Sequence, residues 1–213
     1  MKRIAIIIGA SGLVGHKLVN QLVHHAEFEK VRIFVRRRTG IIHSNLEENI
    51  IDFKQPEHWK HLVKGDVLFS TLGTTIKKAG TKENQYRVDF TYQHEFAKAA
   101  AENGVSTYVL VSSIGANPKS SVFYSRIKGE LEVAVAQLNF RKLLIFRPSI
   151  LDGHRQEQRL GERIGLVASR FFTRFVFRKY RPTPTDVLAR KMIRMSVDQT
   201  EGFRMVEGLE ILK

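Results

Sequence analysis

The chain has no cysteine among its 213 residues. A disulfide, a thiolate metal site and a cysteine nucleophile are therefore excluded, and the composition fits a reducing compartment. Nor does any apolar run approach the roughly 18 residues that a bilayer span needs. The opening MKRIAIIIGASG is continuously apolar only from Ile4 to Ile8, too short for a signal-peptide core. These absences lead to the expectation of a soluble, cytoplasmic protein with no transmembrane segment. The eight histidines show no metal-ligand spacing, so no metal site is expected. Internal repeats and low-complexity tracts are missing too.

Positive charge, in contrast, is abundant. The formal net charge is +14. Such a balance favours anionic partners: phosphorylated cofactors, nucleic acid or acidic membrane surfaces. It is uneven, since residues 154–194 hold eleven Lys and Arg against three Asp and Glu. The 43% of hydrophobic residues can build a sizeable core, and the length suits one domain, or one with a small appended lobe.

The first two thirds alternate short β-rich runs with helical patterns. RIAIII (3–8), VRIFV (31–35), NIIDF (49–53), DVLFSTLG (66–73), VSTYVLVSS (105–113) and RKLLIFRPS (141–149) read as strands. Residues 13–25, 84–104 and 122–138 carry helical spacing, and 186–198 predicts a last helix. This alternation predicts an α/β fold with a doubly wound parallel sheet. The expected division is a dinucleotide-binding core over about 1–150 and a small, mostly helical substrate lobe over about 151–213.

GASGLVG puts Gly9, Gly12 and Gly15 directly after the first strand and at the mouth of the first helix. Glycines there permit a tight bend and close approach of backbone to a pyrophosphate, which the helix N-terminus attracts. Ser11 adds a hydroxyl, and Leu13 and Val14 complete the turn. The competing reading is a plain strand-to-helix turn. The second strand ends in Arg36, Arg37 and Arg38, where an acidic residue would grip the ribose of NAD. Guanidinium suits a 2′-phosphate instead, so NADP(H) is expected ahead of NAD, with Arg36 foremost. A solvated basic loop is the alternative. Asp52 and Phe53 either flank the adenine or merely end a strand. Leu72, Gly73 and Thr74 end the fourth strand on the side where such sheets bind ligands.

SSVFYSRIKGELE carries Tyr124 and, four residues on, Lys128. On a helix both fall within about 60° of the apolar stripe formed by Ile127, Leu131, Val135 and Leu138. A lysine there needs a partner, unless its ammonium snorkels to an edge. The functional alternative is acid–base chemistry. An ammonium stabilises phenolate, and a tyrosine so placed can give a carbonyl oxygen its proton as hydride arrives. Lysine can also hydrogen-bond the nicotinamide ribose. Ser112 or Ser113, ending the fifth strand, would hold the substrate oxygen.

The order of these motifs resembles the short-chain dehydrogenase/reductase superfamily. GxxGxxG, TLGTT, VSSIGA, YSRIKGELE, FRP and RQEQRLGE look like its atypical branch, in the group of the human HIV Tat-interacting protein. The resemblance implies a Rossmann fold, NADP(H) binding and a catalytic set of Ser113 (or Ser112), Tyr124 and Lys128. It also brings Arg147 and Pro148 of FRP to the cofactor site. The implied activity is an oxidoreductase acting on a carbonyl or alcohol. Some relatives of this branch bind cofactor as regulators, so a cofactor-binding regulatory protein is the alternative. Arg and Phe interleave through residues 159–182. That segment reads as a substrate lobe first, a surface for a protein partner or anionic membrane second, and a nucleic-acid site last.

Overall fold

The structure, a computed structural model, describes residues 2–152 and 182–213. Its centre is a seven-stranded sheet built from β1 (Arg3–Ile8), β2 (Phe28–Val35), β3 (Leu46–Ile50), β4 (Val67–Ser70), β5 (Thr107–Val111), β6 (Lys142–Arg147) and β9 (Gly202–Glu207). The order is β3-β2-β1-β4-β5-β6-β9, with every neighbouring pair parallel. This is the doubly wound sheet that the alternation predicts.

Both faces of the sheet are buried, which explains why its central strands read as unbroken apolar runs. Ala5 and Ile7 of β1, Val67 and Phe69 of β4, and Leu144 and Phe146 of β6 pack on one side. There they meet α1 (Leu13–Leu22) and α6 (Thr185–Val197) through Leu18, Leu22, Leu188 and Met192. Ile6, Ile8, Leu68, Leu110 and Ile145 point to the other side. They meet α4 (Tyr92–Glu102) and α5 (Phe123–Ala136) through Phe96, Ala100, Leu131 and Val135.

Several elements differ from the sequence expectation. The third strand lies at Leu46–Ile50 rather than 49–53. It is a polar edge strand, so it lacks the apolar run that marks a central one. The helix expected over 84–104 is divided into α3 (Lys82–Tyr86), a π turn at Arg87–Thr91, and α4. The short α2 (Ile76–Ala79) precedes it, capped by the Thr75 hydroxyl. Strand β9 was not foreseen. It closes the sheet's far edge, and its first three residues are exposed, so neither alternation nor a continuous run announces it.

After β6 the chain forms β7 (Leu151–Asp152), which pairs with β8 (Thr183–Pro184) in a separate ribbon. Helix α6 and β9 then rejoin the sheet. Lys142 at the start of β6 is buried and fastens the end of α6: its Nζ donates to Met195 O at 2.9 Å and to Asp198 Oδ1 at 2.5 Å. The chain runs from β1 outward through β2 and β3, then returns to place β4 on the other side of β1. Such a reversal opens a crevice at the carboxyl ends of the strands, where ligands bind in sheets of this kind.

Candidate functional site

The three glycines of the first turn each meet a different demand. Gly9 has φ +85°, in the region that favours glycine, and a Cβ there would lie 2.6 Å from the Thr71 carbonyl carbon and the Leu72 nitrogen. Gly12 donates its N–H to Gly9 O at 2.8 Å, closing the turn. At Gly15 a Cβ would sit 2.1 Å from Gly9 O, so α1 is pressed onto the strand end. Helix α1 has no side-chain cap and no acidic residue in its first turn. Its leading N–H groups and dipole are thus directed at the crevice without an internal anion to claim them. Ser11 is exposed beside them, Leu13 is half-buried and Val14 is buried.

A groove of about 520 Å³ opens between this turn and the end of β2. Ser11, Arg36, Arg37 and Arg38 line it, together with Phe53 and Leu72. All three arginines are exposed. His16 and Thr39 also line the groove, and the sequence reading missed both. The signal for His16 was its place one helical turn after Gly12, on the same side of α1. Phe53 is buried against Tyr92, with ring centroids 5.5 Å apart, and near Trp59 and Phe96. Asp52 is not among the lining residues. Its carboxylate accepts from Lys54 N at 3.0 Å and its carbonyl from the Trp59 indole at 3.0 Å, so it closes its own turn.

Beyond Leu72, the end of β4 rests on the π turn. Thr74 donates its N–H to Asp89 Oδ1 at 3.2 Å, and a Cβ on Gly73 would meet that same oxygen at 3.2 Å. Gln93 links the layers: its Nε2 donates to Asp89 O at 2.9 Å and its Oε1 accepts from Ser70 Oγ at 2.8 Å. Asp89 and Gln93 are both buried. Their polar pairing four residues apart in a helical pattern was the overlooked sign.

Helix α5 follows β5 and lies at the same carboxyl edge of the sheet. Tyr124 is half-buried in its first turn. Lys128 is only 2% exposed, and its Nζ donates to the Val111 carbonyl at 3.1 Å. The ammonium stays inside with a partner instead of snorkelling to an edge. The two serines separate here. Ser112 is buried and its hydroxyl donates to Glu132 Oε1. Ser113 is half-buried, and its hydroxyl makes only a 3.3 Å contact with Ile114 O among the described residues.

Arg147 is held in an ion-pair network. Its Nε and Nη2 donate to the two oxygens of Glu132 at 2.9 and 2.5 Å, and Nη1 lies 3.4 Å from Glu207. The hydrogen bonding to Glu132 pushes the guanidinium pKa further up. Pro148 is buried and its carbonyl accepts from Ile114 N at 3.0 Å. Both residues brace the end of β5; like Tyr124, Lys128 and the two serines, they do not line the groove beside the glycine turn. Glu132 and Glu207 escaped the sequence reading. Glu132 repeats the anomaly of Lys128, a second charge one turn further along an apolar face.

Most of the Arg/Phe segment, residues 159–181, lies outside the described residues, so no surface is assigned to it. Among the described residues no cluster of His, Asp and Glu has metal-binding geometry, and no helix is long and apolar enough to cross a membrane.

A family model described as NAD(P)H-binding matches residues 9–142. Protein FMP52, mitochondrial, of Eremothecium gossypii is 33% identical over 217 residues, spanning 98% of this chain and 95% of the relative. Protein HTATIP2 of Rattus norvegicus is 36% identical over 170 residues, 78% of this chain and 69% of its own length. Among solved structures, the Bordetella bronchiseptica enzyme WbmH in complex with NAD+ superposes with a TM-score of 0.75 at 17% identity. It covers 97% of this chain and 76% of that one, and shares the fold. The cytoplasmic expectation is corrected by these relatives, several of which are named mitochondrial. A missing signal-peptide core bears only on the secretory route and does not separate cytoplasm from mitochondrion. With its glycine turn inside the matched span and relatives aligned over nearly its whole length, the chain belongs to the NAD(P)H-binding family, in the atypical short-chain dehydrogenase/reductase group that holds FMP52 and HTATIP2.

Proposed function

We propose that the protein is an NADP(H)-dependent oxidoreductase acting on a carbonyl or alcohol carbon. The observation that carries this reading is the buried Lys128 ammonium, held at the Val111 carbonyl one helical turn from Tyr124. It shares an edge of the sheet with the glycine turn.

The residues present fit a dinucleotide. The space that a Cβ would fill at Gly9 and Gly15 is taken by the close-packed turn, which leaves backbone N–H groups for a pyrophosphate. In this reading Gly9, Ser11, Gly12, Leu13, Val14 and Gly15 hold the pyrophosphate. Arg36, with Arg37, grips the 2′-phosphate through charge-assisted hydrogen bonds. Phe53 and Leu72 provide apolar surface for the adenine, and the Gly73–Thr74 backbone passes the central part of the cofactor. Bound NADPH supplies the hydride. Ser113 orients the substrate oxygen, and Tyr124 delivers the proton to that oxygen from its Oη. Lys128 stabilises the resulting phenolate and hydrogen-bonds the nicotinamide ribose. In the reverse direction Tyr124 takes the proton from the alcohol.

Arg36→Ala tests the cofactor choice. Removing one charge-assisted contact to a phosphate should weaken NADPH about tenfold or more and leave NADH nearly unchanged. Titration calorimetry with both cofactors reads the difference. Equal losses for the two would refute the 2′-phosphate assignment.

A further inference from the structure

We propose that Glu132 is a positioning residue that sets the rotation of α5 and thereby aims Tyr124 at the substrate. The inference rests on the oxidoreductase reading above. Tyr124, Lys128 and Glu132 follow one another at four-residue steps, so they share one stripe of the helix. Two of the three are tied to consecutive residues at the end of β5. Lys128 Nζ donates to Val111 O, and Glu132 Oε1 accepts from the Ser112 hydroxyl. Two ties one turn apart hold both the axial setting and the rotation of the helix. The remaining member of the stripe, Tyr124, then has a fixed direction.

Glu132 is itself held firmly. It is 6% exposed, and Arg147 at the end of β6 grips both its oxygens. Glu207 at the end of β9 lies 3.4 Å from the same guanidinium. The network therefore joins the ends of three strands to one helix. Gly129 supports the same seating from the adjoining face. A Cβ there would lie 2.3 Å from Pro118 N, so α5 packs directly on the loop that follows β5. Asn117 N donates to Ser125 O at 3.0 Å in that contact.

The test uses the full chain, NADPH as ligand and phenanthrenequinone as a dicarbonyl probe. A misplacement of about 1 Å at a reacting group costs about 100-fold in rate. Glu132→Ala should bind NADPH within about threefold of the parent protein and lower kcat at least about tenfold. Glu132→Gln keeps an oxygen to accept from Ser112 and should recover most of that loss. A folded Glu132→Ala protein with the parent's kcat, and only a lower Tm, would overturn the proposal. Should Glu132→Ala fail to fold, Ser112→Ala removes a single hydroxyl and decides instead. It should slow turnover at unchanged NADPH affinity, and parent-level kcat would count against the tie. If the parent protein binds NADPH but reduces no probe, the oxidoreductase reading fails separately. The fluorescence of bound NADPH then reads the setting of α5. Glu132→Ala should change that emission, and an unaltered spectrum would overturn the positioning role.

Discussion

Gly15→Ala should abolish measurable cofactor binding and lower the thermal midpoint. The added Cβ would sit 2.1 Å from Gly9 O and 2.7 Å from Gly9 C, well inside any real contact. Neither side can yield easily. Gly9 is itself wedged against Thr71 and Leu72, where a Cβ of its own would meet backbone at 2.6 Å. Relief requires α1 to lift from β1, which moves the N–H groups away from the pyrophosphate. Overpacking of this kind costs about 1–3 kcal/mol in stability. The loss in NADPH affinity should exceed about 100-fold, because the turn that collapses is also the one proposed to hold the pyrophosphate. Gly80→Ala is the control. Its φ of +80° strains any side chain, but open space surrounds it. It should cost about 1–2 kcal/mol from backbone strain and leave NADPH affinity unaltered. Thermal shift and calorimetry on the two variants separate crowding at the ligand turn from strain elsewhere.

Tyr124→Phe should lower turnover about 100-fold or more while NADPH affinity stays within about twofold. The substitution removes one oxygen and leaves the ring on the half-buried face of α5. Acid–base groups contribute about 10²–10⁴ in rate, and phenylalanine can neither give nor take the proton. Lys128 keeps its Val111 partner in this variant, so the helix stays seated. A cofactor-binding regulator makes a different forecast. Such a protein would show little turnover before the substitution and the same NADPH affinity after it.

The parts of the candidate site that were legible make local demands. The glycine turn is a run of seven residues whose spacing alone states where backbone must come close. The parallel sheet was legible because strands buried on both faces leave unbroken apolar runs, as in β1. The Tyr124–Lys128 pair stood out because a charge fell on an apolar stripe. What escaped notice depends on residues far apart in the chain. Arg147 looks like a free cation in FRP, yet it is paired with Glu132, fifteen residues earlier, and with Glu207, sixty residues later. The burial of the Ser112 hydroxyl depends on Glu132, twenty residues away. Asp52, read as flanking the adenine or ending a strand, turns back on its own backbone. Strand β9 exists because β6 offers it an edge, and nothing in GFRMVE alone requires a strand.

The most direct measurement is calorimetric titration of the unaltered protein with NADPH and NADH side by side. The glycine turn together with Arg36 and Arg37 predicts saturable binding of NADPH at least about tenfold tighter than NADH. Failure to bind either cofactor would contradict the reading of the groove and remove the basis for Tyr124 chemistry.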